Sequence, residues 1–116
     1  MIFEDLYRAK LFERTEDSAL LEILVPETCP YFDGHFPGFS LLPAVAQVEL
    51  VIRFASEYLA TGNDVLEIRR LKFSRIISPN IPIMLRLAKN ADIVSFKMFS
   101  REDEGVYSSG IIVVSL

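Results

Sequence analysis

Residues 43–60 read PAVAQVELVIRFASEYLA, and this stretch decides the architecture. It has no glycine and no internal proline, and it is long enough for about five helical turns. Pro43 suits a helix start, where its missing N–H costs nothing. Gly62 and Asn63 supply the stop. Ala44, Val48, Val51, Ile52, Ala55 and Leu59 share one broad face, while Ala46, Leu50 and Phe54 occupy much of the rest. A helix that is apolar nearly all round is expected to be buried on most sides.

The flanks say what buries it. Upstream, Leu11 to Val25 (LFERTEDSALLEILV) ends in one apolar strand closed by Pro26. Residues 27–43, ETCPYFDGHFPGFSLLP, are loop material dense in proline, glycine and aromatics. Downstream, Val65 to Ile77 alternates, with Leu66, Ile68, Leu71, Phe73 and Ile76 set against Glu67, Arg69, Arg70, Lys72 and Arg75. The one slip, at the double arginine, predicts a bulge. Ser78-Pro79-Asn80 form a turn, and Ile83–Ala88, Ile93–Ser100 and Val106–Ser115 read as further strands, with hairpin turns at 90–92 and 102–105. The class is α+β: an antiparallel sheet of about five strands wrapped around one long central helix. That is the pattern of the hotdog fold, although element order alone leaves other α+β arrangements open.

A chain of 116 residues is read as one domain spanning 1–116, able to bury roughly two thirds of its unfolded surface. Its nine phenylalanines can fill a core or line an apolar tunnel. The formal charge of −4 argues against a general nucleic-acid binder, which needs a basic surplus. No apolar run approaches the ~18 residues of a membrane span. The N-terminal segment MIFEDLYRAKLFERTED lacks the apolar core of a signal peptide. A lone cysteine, Cys29, precludes an internal disulfide and fits a reducing cytoplasm. With one histidine as its only companion, it also argues against a metal site. No cofactor is called for.

The segment Phe32-Asp33-Gly34-His35-Phe36-Pro37-Gly38, then Leu42-Pro43, then Glu49, carries a motif. It resembles the G-H-F-P-G signature of the 3-hydroxyacyl-acyl-carrier-protein dehydratases, the FabA/FabZ-like hotdog enzymes. In that family an acid on the central helix lies fourteen residues beyond the motif histidine, and His35 plus fourteen is Glu49. The likeness covers Phe32 to about Tyr58, and LKFSRIISPNIPI (71–83) is similar to the family's strand, proline turn and strand. There are departures. Ser40 and Ala44 stand where the family commonly has proline and glycine, and Arg53 stands where fatty-acid members carry glutamine. Gln47, two residues before Glu49, is more similar to the dehydratases of aryl-polyene pathways.

The resemblance implies a dehydratase acting in fatty-acid or polyene-type biosynthesis, and the chemistry fits the residue types. Removing the C2 proton needs a base titrating near neutrality, which His35 supplies. Expelling the hydroxyl needs an acid, and a carboxyl in an apolar setting has its pKa raised for that task. Glu49 fills that role. The developing enolate needs a donor, and the backbone N–H of Ala44 at a helix N-terminus is one. Phe32, Gly34, Phe36, Gly38 and Pro43 complete the expected substrate-binding set. The glycines permit positive φ, and the phenylalanines serve an acyl tunnel or the core.

The expected partners are an acyl carrier protein bearing the substrate, and a second hotdog subunit in a homodimer or hetero-oligomer. Neither nucleic acid nor membrane is expected. Arg69, Arg70, Lys72 and Arg75 form a solvated strand face or a dock for the acidic carrier. Two other functions stay open: a hotdog thioesterase, and a non-catalytic subunit pairing with an active homologue.

Overall fold

The computed structural model describes residues 7–27, 29, 41–61 and 64–115. Six strands and one helix follow in the order β1 (Arg8–Arg14), β2 (Ser18–Leu24), α1 (Ala44–Leu59), β3 (Val65–Phe73), β4 (Pro82–Asn90), β5 (Ile93–Ser100) and β6 (Val106–Val114). They form one antiparallel sheet in the order β1-β2-β4-β5-β6-β3, the hotdog arrangement.

The sheet has six strands rather than about five because the segment before Pro26 is a hairpin, not one strand. Its turn is closed by the Thr15 N–H donating to the Ser18 carbonyl at 2.9 Å and by a 2.7 Å contact between the two hydroxyls. β1 is exposed on both faces, so it lacks the apolar alternation that marks a half-buried strand. β2 has that alternation, burying Ala19, Leu21 and Ile23.

The core lies between one sheet face and one helix face. Leu21, Ile23, Leu85, Leu87, Val94, Phe96, Met98 and Ile112 pack with Ala46, Leu50, Val51, Phe54 and Ala55. Among the described residues, α1 is least covered on its other flank, where Val48 and Ile52 are half-buried. Val45 is 74% exposed, and Glu49 is exposed too. The expectation of burial on most sides therefore fails along this flank. A sheet curled against one face of a helix leaves part of the opposite face exposed.

Pro43 is the N-cap, with φ −68° and ψ 157°, and α1 begins at Ala44. The helix closes on Ala60 in the left-handed region at φ 54°. Gly62 and Asn63, the expected stop, lie outside the described residues.

β3 carries the expected bulge. Arg70 has φ 54°, and the pairing with β6 shifts between Arg69 and Lys72. The strand ends at Phe73 rather than Ile77, because the Ser74 and Arg75 N–H groups both turn onto the Tyr107 carbonyl, at 2.8 and 3.3 Å. Ile77 then accepts the N–H of Leu42 at 2.8 Å, which fixes the segment leading into α1. β3 is an edge strand, and Leu66, Ile68, Leu71 and Phe73 on it are all exposed.

Candidate active site

The site is built around the start of α1. The Ala46 and Gln47 N–H groups both reach the Pro43 carbonyl at 3.1 Å. Among the described residues the Ala44 N–H has no hydrogen-bond partner, so it stays available at the positive end of the helix dipole. Ala44 lines a cleft of about 250 Å³ between this helix end and the end of β3, together with Leu42, Gln47, Phe73, Ser74 and Ile76. Its wall is apolar apart from the helix start, Gln47, Ser74 and Arg75, and the guanidinium of Arg75 is paired with Asp103.

Of the predicted site residues, Pro43, Ala44 and Glu49 are described, whereas Phe32, Gly34, His35, Phe36 and Gly38 lie outside the described residues, as does Ser40. The structure brings Ala44 to the cleft, while Pro43 caps the helix just before it and does not line the cleft. Glu49 points elsewhere. It lies two residues beyond Gln47, about 200° further around the helix, on the exposed flank. Glu49 is exposed, and the described residues do not give its carboxyl the expected apolar setting.

Sequence reasoning missed the burial of Gln47, which is only 4% exposed. Its Nε2 donates to the Leu42 carbonyl at 3.0 Å, while its Oε1 is buried with no hydrogen-bond partner among the described residues. The available signal was a polar residue one turn into the helix, flanked by Ala46 and Val48. Cys29 is buried in the core, which suits the reading of it as a small packing residue.

The basic row on β3 is partly neutralised from within. Arg69 pairs with Glu67 at 2.9 Å, and that bond holds the Glu67 carboxyl below its usual range. Arg75 pairs with Asp103 at 3.1 Å and lies 5.2 Å over the Tyr107 ring. The Gly105 N–H, then the Arg75 guanidinium and Ser100, lower the Asp103 carboxyl to about 2. Arg70 and Lys72 are exposed, with no ion-pair partner among the described residues. Among those residues no helix is long and apolar enough to cross a membrane, and no cluster of ligating side chains could hold a metal ion.

The family described as ApeI-like, ApeI dehydratase, matches residues 12–111. The ApeI:P dehydratase heterocomplex from Xenorhabdus doucetiae is similar at 25% identity and a TM-score of 0.83, over 92% of this chain and 95% of that one. An uncharacterized protein from Erwinia carotovora subsp. atroseptica is 28% identical over 93% of this chain and 92% of that one, with a TM-score of 0.72. Zebrafish thioesterase superfamily member 2 shares the fold alone, at 9% identity over 91% of this chain and 79% of that one, with a TM-score of 0.68. None of the curated proteins matches the chain. The match across residues 12–111 takes in the helix, the cleft and four of the six strands in full, with parts of β1 and β6, and the chain belongs to the ApeI-like dehydratase family.

Proposed function

We propose that the protein dehydrates 3-hydroxyacyl thioesters, presented on an acyl carrier protein, to trans-2-enoyl thioesters in the cytoplasm. The observation that carries this reading is the ApeI-like match over residues 12–111, which contains His35, Ala44 and Glu49 at the dehydratase spacing. In the proposed reaction His35 takes the C2 proton, and the Ala44 N–H polarises the thioester carbonyl as enolate charge develops. The C3–O bond breaks with its electron pair going to oxygen. Glu49 protonates that oxygen, and water leaves.

Two features favour a site shared between subunits. Glu49 and the Ala44–Gln47 cleft lie on different sides of α1, so one chain's acid is poorly placed to serve its own cleft. β3 presents an unpaired edge and exposed apolar side chains next to that cleft, and an open edge is a template for another strand. A second hotdog subunit seated on β3 would cover the bare flank of α1 and lend Glu49 its apolar surroundings. That subunit is another copy of this chain or a homologue. The similarity to a dehydratase heterocomplex keeps the homologue in view.

The test is turnover of 3-hydroxyacyl carrier protein, and hydration of the enoyl product, by the protein alone and together with a co-encoded hotdog homologue. Activity of the chain alone supports a self-sufficient enzyme. Activity only in the mixture, surviving His35→Ala and Glu49→Gln in this chain, assigns it a non-catalytic role. Inactivity in both settings overturns the dehydratase reading.

A further inference from the structure

The Gln47 amide is held in one orientation. Nε2 donates to the Leu42 carbonyl at 3.0 Å, and the flipped amide would set two acceptors against each other. The Leu42 backbone is itself anchored, since its N–H donates to the Ile77 carbonyl at 2.8 Å. Among the described residues, Oε1 is therefore the unpaired atom of a side chain that is 4% exposed and lines the cleft. An amide oxygen can only accept. A buried acceptor without a donor is costly to keep and calls for an explanation in terms of a missing partner.

We infer that Gln47 is a positioning residue that accepts a hydrogen bond from the 3-hydroxyl of the substrate. This rests on the dehydratase reading above. Gln47 follows Ala44 by three residues, about 4.5 Å along the helix axis, and both line one cleft. That offset matches the scale of a thioester carbonyl and a hydroxyl two carbons apart. With the carbonyl on the Ala44 N–H, the hydroxyl comes within reach of Gln47. Donating its proton to Oε1 turns the oxygen's lone pairs away from Gln47, toward the side from which an acid must protonate it. The departing water keeps the same acceptor, donating an O–H to Oε1. A substrate lacking the hydroxyl leaves Oε1 unpaired, so the residue also selects for 3-hydroxyacyl chains over saturated ones.

The test is calorimetric binding of two pantetheine amides, 3-hydroxyoctanoyl and octanoyl, to the protein as isolated with any co-purifying hotdog partner. The amide linkage leaves the C2 proton too weakly acidic to be removed, so no turnover intervenes. Wild type should favour the hydroxy compound about three- to tenfold, the usual worth of one neutral hydrogen bond. Gln47→Met should bring the ratio to about one, with octanoyl affinity unchanged within about twofold. Gln47→Glu should restore the preference, because a buried neutral carboxyl can donate to Leu42 and still accept. A preference that persists in Gln47→Met, a wild type that does not discriminate, or a parallel loss of both ligands in Gln47→Met would each overturn the assignment. Wild type that binds neither compound would instead overturn the dehydratase reading on which it rests.

Discussion

Gly110 on β6 lies against Leu71 of β3: a Cβ at position 110 would stand 2.8 Å from Leu71 Cδ2 and equally close to Phe96 Cε2. The bare backbone lets the half-exposed Leu71 side chain fold down onto the sheet beside a buried ring.

Gly110→Ala is accordingly expected to destabilise the fold. The exposed end of Leu71 can move aside, but Phe96 is only 4% exposed and cannot. Overpacking costs about 1–3 kcal/mol. It outweighs the ~0.4–1 kcal/mol gained by removing a glycine from the unfolded chain. The urea midpoint should fall, and a rise would show that the Phe96 ring gives way freely.

Ile68 tests the edge of the sheet. Ile68→Lys places a charge beside the unpaired side of β3, where an apolar residue is 42% exposed in the single chain. Light scattering at micromolar concentration should give a smaller mass than wild type, with far-ultraviolet dichroism unchanged. A monomeric wild type would remove the paired-sheet arrangement altogether.

The catalytic assignments predict a matched pair of losses. His35→Ala and Glu49→Gln should each lower turnover by about 10²–10⁴, and the double variant should lose far less than the product of the two. Glu57→Gln, on an exposed helix position, should leave turnover near wild type. Cys29 lies in the core, so Cys29→Ala is the appropriate control there, since serine would bury a hydroxyl. Turnover that survives both main substitutions would reassign the chemistry to other residues.

Carrier docking is expected to draw on Arg70 and Lys72 more than on Arg69 and Arg75, which already pair with Glu67 and Asp103. Reversing Arg70 and Lys72 to glutamate should weaken turnover of carrier-bound substrate and spare small pantetheine substrates. Salt should shrink the difference, because exposed charges are screened over ~8–10 Å near physiological ionic strength. Equal losses on both substrates would mark the pair as structural.

Acid stability should carry the signature of Asp103. Its folded-state pKa is lowered from 3.8 to about 2, chiefly by the Gly105 N–H and then by Arg75. A depressed carboxyl stabilises the fold above its unfolded pKa, and that contribution is lost as pH falls through the folded value. Asp103→Asn should therefore flatten the fall in urea midpoint between about pH 4 and pH 2, with the largest difference from wild type above that window. Parallel curves would mean that the turn does not hold its charge in solution.

Much of this architecture was legible from periodicity. α1 and strands β4 to β6 alternate or recur with clear spacing, and they stand close to where the pattern put them. The Arg69–Arg70 slip foretold a real bulge, because a one-residue shift in a strand swaps every later side chain to the other face. β1 was hidden for the opposite reason: an edge strand exposed on both faces has no buried side to write into its sequence. Glu49 was expected in an apolar setting because its neighbours are apolar. Those neighbours mostly face the core, and nothing local tells how much of a helix one sheet will cover. Gln47 was read by its spacing to Glu49 alone. Its burial depends on Leu42 and on the end of β3, which lie beyond its own helical turn.

The left-handed backbone at Arg70 has a consequence for recognition between chains. A straight edge strand will zip against almost any other, which is the root of indiscriminate sheet extension. Its pairing with β6 shifts register between Arg69 and Lys72 and again between Val65 and Glu67, so β3 runs as offset segments and its free edge is not one straight ladder. A newcomer must break its own register at matching points to engage the strand along its length. The irregularity therefore works like the wards of a lock, admitting a strand cut to the same pattern and turning away unrelated edges that match it only in hydrophobicity.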